Sequence, residues 1–433
     1  MKITIIGTGY VGLVSGVCFA KIGHKVTCVD NNLQKIADLK RDIAPIYEPG
    51  LNELIGQVKE NISFSTNLSE ALDGCDAAFI AVGTPQGDDG KANLDYVFDV
   101  AGQIASLAKN YLLIVTKSTV PIGTNLKIKQ LIKKNNPDLD FDIASNPEFL
   151  REGFALDDFL NANRIVVGVE NQRASQIIEQ IYEPLTVKNI PLVISDIVTA
   201  ETIKYAANCF LSCKIGFINQ MADLCEKMGG NIKTLSKGLG LDQRIGSAFL
   251  NAGPGFGGSC FPKDINALLN IADENEVDLS IIDAANKANL KRFDDISLKI
   301  SDLIGQKKVK KIAFLGLAFK GGTDDVRFSP AIKILQKIAD LDVKINAFDP
   351  KAIENSKPQL SAKNIQFTSD EYDCCTDADL IIIATEWQDF KVLDWKKIKN
   401  LNQGNLIYDL RNILDEKQMA DLGFDYYFIG KKN

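Results

Sequence analysis

Histidine is almost missing from this chain of 433 residues, where His24 stands alone. A His-based metal centre needs several imidazoles, and a Ser-His-Asp triad needs one between its nucleophile and its carboxylate, so the scarcity argues against both chemistries. Nucleophilic and proton-transfer work then falls to Cys, Lys, Asp and Glu. Paired C-x-x-C spacings are missing too. The nine cysteines, Cys18, Cys28, Cys75, Cys209, Cys213, Cys225, Cys260, Cys374 and Cys375, are odd in number and scattered, which argues against a disulfide framework and a structural zinc site and fits a reducing cytoplasm. Nor is there an excess of positive charge: 49 Lys and Arg against 56 Asp and Glu leave a net −7. A general binder of phosphate backbones carries a basic surface, so no nucleic-acid partner is expected, and any anionic ligand must be met by local cations or backbone amides. The uncharged run from Ile3 to Ala20 superficially resembles a signal peptide or membrane span, but it contains Gly7, Gly9, Gly12 and Gly16. A buried strand, glycine turn and helix is the better reading, and no membrane segment is expected. What is present is ordinary for a globular protein, 45% hydrophobic and 24% charged, with length for about three domains.

Short apolar strands are expected at Lys2–Ile6, Lys25–Asp30, Asp76–Val82, Leu112–Thr116, Asp142–Ala144 and Ile165–Val169, with helical stretches between them. Such alternation implies a parallel sheet covered on both faces. From about Val198 to Met228 the pattern becomes one long helix closed by Gly229-Gly230, and a second helical stretch runs with interruptions from Pro262 to about Leu303. After the charged stretch Lys307–Lys311 the alternation returns and rhymes with the beginning: KITIIGTGYVG with KIAFLGLAFKG, KVTCVDN with KINAFDP, CDAAFIAVGTP with ADLIIIATEW. The expected fold is α/β, with two Rossmann-like doubly wound domains (1–196 and 304–433) joined by a central helical domain and dimer interface (197–303). The second half lacks an intact G-x-G-x-x-G and should bind something other than a complete dinucleotide.

Gly7-Thr8-Gly9-Tyr10-Val11-Gly12 follows the first strand and opens a helix. The first glycine makes the turn, the second lets a pyrophosphate approach the backbone, and the third allows close helix packing. Asp30 ends the second strand, eighteen residues beyond Gly12, where a carboxylate accepts from ribose hydroxyls and repels a 2′-phosphate, favouring NAD over NADP. Lys35 reaches towards the adenosine side or is a solvated helix lysine. Thr84 and Thr119 lie in loops after apolar strands, where either ligand contact or turn chemistry before Pro explains them. In Gly253-Pro254-Gly255-Phe256-Gly257-Gly258-Ser259-Cys260-Phe261-Pro262-Lys263-Asp264, four glycines allow close approach of a ligand and Pro262 suits a helix start. Cys260 then lies just outside a helix N-terminus, where amides and the dipole favour thiolate and a nucleophile outweighs a merely buried cysteine. Lys204, Asn208, Ser212 and Asn219 make a polar stripe on the long helix, either capping an interface or reaching a crevice beside Cys260. In Asn146–Gly153 two carboxylates stand four residues apart, on one face if helical, as part of a salt-bridged helix start or as a general base.

Together these motifs resemble the UDP-glucose/GDP-mannose dehydrogenase family, most closely its UDP-glucose branch, over essentially the whole chain: IGTGYVGL, VGTPQGDDGKANL, KSTVPIGT, SNPEFLREG, ETIKYAAN, GPGFGGSCFPKD and GLAFKGGTDDVR. The resemblance implies a four-electron oxidation of the C6 alcohol of UDP-glucose to a carboxylate using two NAD, and the helical middle fits a homodimer. It implies that Cys260 traps the aldehyde as a thiohemiacetal that becomes a thioester, and that Lys204 moves a proton at the C6 oxygen. Asn208 and Asp264 would hold water and polarise groups, while Glu148, helped by Thr119, activates the hydrolytic water. Val11, Asp30, Lys35, Thr84, Thr119, Glu152, Lys263 and Arg327 match NAD contacts, with Gly7, Gly9 and Gly12. Glu148, Phe149, Leu150, Arg151, Glu152, Lys204, Asn208, Phe249, Leu250, Asn251, Ala252, Gly253, Gly257 and Lys320 match UDP-sugar contacts, and Arg244 matches an arginine donated by the neighbouring subunit. Two departures, Gly321 where many relatives have Pro and Phe328 where an acidic residue is common, bear on the stiffness of one loop and the alignment of Arg327. The rivals are a two-electron alcohol or hydroxy-acid dehydrogenase in which Cys260 is structural, and an NAD-sensing module without catalysis.

Overall fold

The β-branched apolar runs do form strands, and the computed structural model, which describes residues 1–87 and 90–432, arranges them in two parallel sheets. By contact density the chain divides into a first unit, Met1–Ala207 with Asn266–Glu276, and a second, Asn208–Ile265 with Val277 onward. The division falls inside a helix, Ile197–Met228. The three-part division at 196/197 and 303/304 is a proposal about sequence segments.

In the first unit eight strands, β1 (Lys2–Ile6), β2 (Lys25–Val29), β3 (Ile62–Ser65), β4 (Ala77–Ile80), β5 (Leu112–Thr116), β6 (Phe141–Ser145), β7 (Ile165–Val169) and β8 (Leu192–Ser195), pair in the order β3-β2-β1-β4-β5-β6-β7-β8. All pairs are parallel except β6 with β7. Helices cover both faces, so β4, β5 and β6 are buried at every position. The order reverses between β1 and β4, and loops leaving the carboxyl ends there line the ligand crevice of such a sheet.

In the second unit β9 (Lys311–Leu315), β10 (Lys344–Phe348), β11 (Ile365–Phe367), β12 (Leu380–Ile383), β13 (Leu406–Asp409) and β14 (Asp425–Phe428) pair in the order β11-β10-β9-β12-β13-β14, all parallel. That is the same doubly wound order as β3-β2-β1-β4-β5-β6. Between the sheets in sequence lies a long helical region: Ile197–Met228, Ile232–Gly240, Phe261–Glu274 and Ser280–Lys307. Gly229 ends the first helix with φ +79°, as its position suggests. The stretch expected from Pro262 to Leu303 is two helices, broken where Glu276 turns left-handed (φ +56°) and the Asp278 carboxylate accepts the Ser280 amide at 2.8 Å.

Candidate functional site

The dinucleotide turn in the first unit is built as its glycines require. Gly7 has φ +102°, and a Cβ there would meet Ala81 O at 2.8 Å. At Gly12 a Cβ would lie 2.0 Å from Gly7 O, so the helix Tyr10–Lys21 can start tight against the turn only with glycine here. Gly9 is different: among the described residues nothing lies within 4 Å of its Cβ direction. That open face beside a helix N-terminus is what a pyrophosphate needs, so the residues present fit NAD. Val11 lies in the first turn of that helix. Asp30 is half-buried and accepts the Thr8 amide at 2.9 Å, the Thr8 hydroxyl at 2.7 Å and the Asn32 amide at 3.0 Å. Burial pushes its carboxyl up, but these bonds and the Lys35 charge hold it below the usual range. It stays anionic, as a ribose acceptor must. Thr84 donates to Thr119 O at 2.9 Å, which ties together the loops after β4 and β5.

The carboxyl end of β6 carries the second group of residues. The segment from Glu148 to Glu152 is not helical, so its two carboxylates do not share a helix face; the next helix, Ala155–Leu160, begins after Gly153 (φ +81°). Glu148 is buried and accepts Lys204 Nζ at 2.9 Å and the Leu150 amide at 2.6 Å. Burial would raise its pKa; Lys204, the Leu150 amide and the Lys117 charge outweigh this and lower it. Removing one partner of such a buried pair costs about 3–5 kcal/mol. Phe149 stacks under the Arg164 guanidinium at 3.9 Å. Arg151 is exposed and forks onto Asp158, with Nη2 to Oδ1 at 2.6 Å. Glu152 is half-buried.

In the second unit Cys260 immediately precedes the helix Phe261–Glu274, and its carbonyl accepts the Asp264 amide at 2.9 Å, so it stands at the N-cap rather than merely near the helix start. The residue is partly exposed, and its sulfur lies 3.6 Å from Ser259 Oγ. Burial pushes most of the other thiols up, Cys28, Cys209 and Cys374 to about 12, as suits inert packing cysteines. Asp264 is fully buried, one oxygen accepting Asn208 Nδ2 at 2.7 Å and the other Lys263 Nζ at 2.7 Å. Lys204 and Asn208, one helical turn apart on Ile197–Met228, thus each hold a buried carboxylate.

Three of the glycines before Cys260 stand where no side chain fits. Their close approach is to the chain itself: a Cβ at Gly255 would meet Asn289 Oδ1 at 2.7 Å, at Gly257 Phe328 O at 2.1 Å, and at Gly258 the Phe319 ring at 2.8 Å. Asn289 grips the Phe256 backbone with both ends of its amide, at 2.8 and 3.0 Å, and Arg292 Nε donates to Gly253 O at 2.6 Å. Asn219 accepts the Gly253 amide at 2.9 Å. Leu250 and Ala252 are buried, Asn251 is exposed, and Phe249 is left-handed with φ +63°. Phe328 is also left-handed, φ +50°, and its carbonyl abuts Gly257.

The Arg327 carbonyl accepts the Gly258 amide at 3.0 Å, which sets that residue beside the Cys260 loop. Lys320 is half-buried, with Nζ 5.6 Å from the Phe319 ring centroid. Arg327 is exposed and forks onto Asp325, and the Arg244 side chain, 89% exposed, onto Asp242. His24 is buried, with Nε2 2.7 Å from Ile181 O and Nδ1 3.3 Å from the terminal amine, a structural role. Sequence reading missed Asn289 and Arg292, whose only trace is an i, i+3 pair on a long helix. It missed Glu48, which accepts the Tyr10 hydroxyl and the Gly153 and Ala155 amides, the last two both at 2.7 Å. Arg411 was missed as well: it donates to Phe319 O at 2.7 Å and Ala384 O at 2.9 Å and lies 3.7 Å from the Gly253 Cβ position.

Three domain models of one family match the chain: the NAD binding domain of the UDP-glucose/GDP-mannose dehydrogenase family over residues 1–186, its central domain over 198–291, and its UDP binding domain over 313–416. A UDP-glucose 6-dehydrogenase of Rickettsia conorii is 49% identical over 435 residues, covering 100% of both chains. One of Rhizobium meliloti is 44% identical over 437 residues, again covering 100% of both. The solved structure of a UDP-glucose dehydrogenase from Pyrobaculum islandicum superimposes with a TM-score of 0.90 at 32% identity, covering 100% of this chain and 98% of that one. With the glycine turn and Asp30 in one unit and the Cys260 helix start in the other, the chain belongs to the UDP-glucose/GDP-mannose dehydrogenase family.

Proposed function

We propose that this chain oxidises the C6 alcohol of UDP-glucose to the carboxylate of UDP-glucuronate, with two NAD reduced per sugar. The observation that carries the reading is the helix start at Phe261, with Cys260 at its N-cap and Asp264 in its first turn held by Asn208 and Lys263. In the first oxidation the C6 carbon loses a hydride and its hydroxyl a proton, a transfer in which Lys204 takes part. The Cys260 sulfur then bonds to the aldehyde carbon, and the carbonyl oxygen takes a proton to give a thiohemiacetal. This step gives the carbon a hydride that can leave and prevents escape of the aldehyde. Loss of that hydride and of the hydroxyl proton leaves a thioester. Glu148, helped by Thr119, takes a proton from the water that attacks it; the C–S bond breaks, the sulfur regains a proton and the acid departs. NAD supplies the hydride acceptor in both oxidations. Gly9, the helix start at Tyr10 and Asp30 are the groups that would hold it, with Lys35, Thr84, Glu152, Lys263 and Arg327. Backbone amides with Lys320 and Arg411 would meet the diphosphate of the substrate.

A homodimer fits a second observation. Phe210, Phe217, Leu224 and Met228 are 67%, 49%, 52% and 78% exposed, and their spacing on the helix Ile197–Met228 sets them within about 40° of one face. In a dimer the partner subunit's Arg244 would reach the substrate, which suits a side chain so exposed here. Nine cysteines that form no disulfide fit a reducing, cytoplasmic setting, and among the described residues no helix is long and apolar enough to cross a membrane.

Cys260→Ala tests the reading. Acid formation should fall at least ~10³-fold while NAD affinity stays within about twofold. Acid production at the unsubstituted rate would favour the two-electron rival with a structural Cys260, and no turnover of any nucleotide sugar by the native chain would revive the sensing module.

A further inference from the structure

Lys117 directly follows β5, is buried, and has no part in the reaction proposed above. Its Nζ lies 3.1 Å from Asn146 Oδ1, which also accepts the Tyr182 hydroxyl. Asn146 in turn donates from its side chain to Val166 O at 2.9 Å and from its backbone to Thr116 O at 2.8 Å. The residue is therefore held on all sides, and Glu148 follows two positions later. Lys117 and Glu148 also act on each other electrostatically.

Burial of this lysine is costly, and it lowers the ammonium pKa to about 8; the Glu148 charge works against that shift and the Lys204 charge with it. The other titratable group that reaches it is Cys18, from the helix Tyr10–Lys21, whose thiol burial pushes up and keeps protonated. Lys204 thus pairs with the Glu148 carboxylate directly, while Lys117, bonded to Asn146 two residues before it, adds a second positive charge inside the first unit. A methionine would pack against the Phe159 ring, 5.8 Å from Nζ, without the desolvation cost, so packing alone does not call for a lysine.

We infer that Lys117 is a positioning residue for the hydrolytic half of the reaction: its ammonium, locked on Asn146, holds Glu148 in place and anionic for the attack of water on the thioester. The inference rests on the reading of Glu148 as the base for that step. It assigns Lys117 no contact with substrate. Without the ammonium, Glu148 loses a cation that stabilises its charged form, so it takes up a proton at a higher pH and the acid limb of turnover moves upward.

The experiment compares Lys117→Met, which removes both charge and hydrogen bond, with Lys117→Gln, which keeps a donor for Asn146 and removes only the charge. Each is measured in rapid-mixing and steady-state NADH production with UDP-glucose across pH. The first-turnover burst of two NADH per site should survive in both. The acid limb of kcat should rise by about one pH unit, a ~10-fold loss at the acid end. An unmoved acid limb overturns the inference, and so does a burst that falls by the same factor as turnover. Failure of both variants to fold overturns it too, because the role is then structural. Glu148→Gln separates the two claims. If it turns over like the native enzyme, the reading of Glu148 fails; if it stalls after the burst while Lys117→Gln keeps the native acid limb, only the inference about Lys117 fails.

Discussion

Two sheets with the same strand order end their first strands on the same glycine turn, φ +102° at Gly7 and at Gly316, and then diverge. In the first unit a helix begins at Tyr10, so unpaired amides and the dipole's positive end stand beside the open Gly9. In the second the corresponding position is Ala318, fully buried, and the next long helix waits until Pro330. The acidic residues after the second strands diverge likewise. Asp30 keeps partial exposure and three donors. Asp349 is 1% exposed and saturated: the Leu317 and Ala318 amides and the Trp387 indole bind one oxygen, the Lys351 and Ala352 amides the other. Strand order alone does not make a dinucleotide site; the residues between strand and helix do. The second turn has turned its carboxylate inward to brace its own loop.

Mirror-image substitutions can break this comparison. The largest effect is expected at the last glycine of each turn, Gly12 and Gly321. Gly12→Ala places a methyl 2.0 Å from Gly7 O and should raise the NAD dissociation constant at least ~100-fold with loss of thermal stability. Gly321→Ala meets Glu386 O at 2.6 Å and should lower stability while NAD titration is unchanged. Equal loss of NAD affinity in both would mean that the halves do not divide their roles. A smaller effect is expected at the aspartates. Asp349→Asn removes an acceptor that braces two loops and should cost about 2–3 kcal/mol in denaturant unfolding, whereas Asp30→Asn should cost under about 1 kcal/mol yet weaken NAD about tenfold and admit NADP. The reverse pattern in calorimetric titration and unfolding would contradict the assignment.

Much of this arrangement is legible in the order of residues. Local patterns place β1, β5 and β7 to the residue, and β2, β4 and β6 within two, because each is a short, largely buried strand rich in apolar or β-branched residues. Cys260 beside a helix start is equally local, since Gly258 and Pro262 punctuate the chain around it. What escaped depends on distant partners. Asn289 and Arg292 hold the loop at Gly253–Phe256 from more than thirty residues away, and no spacing rule foretells which polar residues of a long helix face inward. The glycines at 255, 257 and 258 look alike as ligand approaches or as tight packing until the rings and carbonyls opposite them are known. Nothing in the sequence around Lys117 sets it apart, and only burial and its Asn146 partner distinguish it. The Glu148–Glu152 pair misleads a helical reading because Gly153 delays the helix to Ala155.

The central claim is that one chain carries out both oxidations through Cys260, and its most direct test is the count of NADH formed per UDP-glucose consumed by the native enzyme with NAD in excess. Two NADH and one equivalent of UDP-glucuronate, with no free aldehyde captured by a hydrazine, is the result predicted. One NADH with a released aldehyde would contradict it and leave Cys260 a structural residue at a helix start.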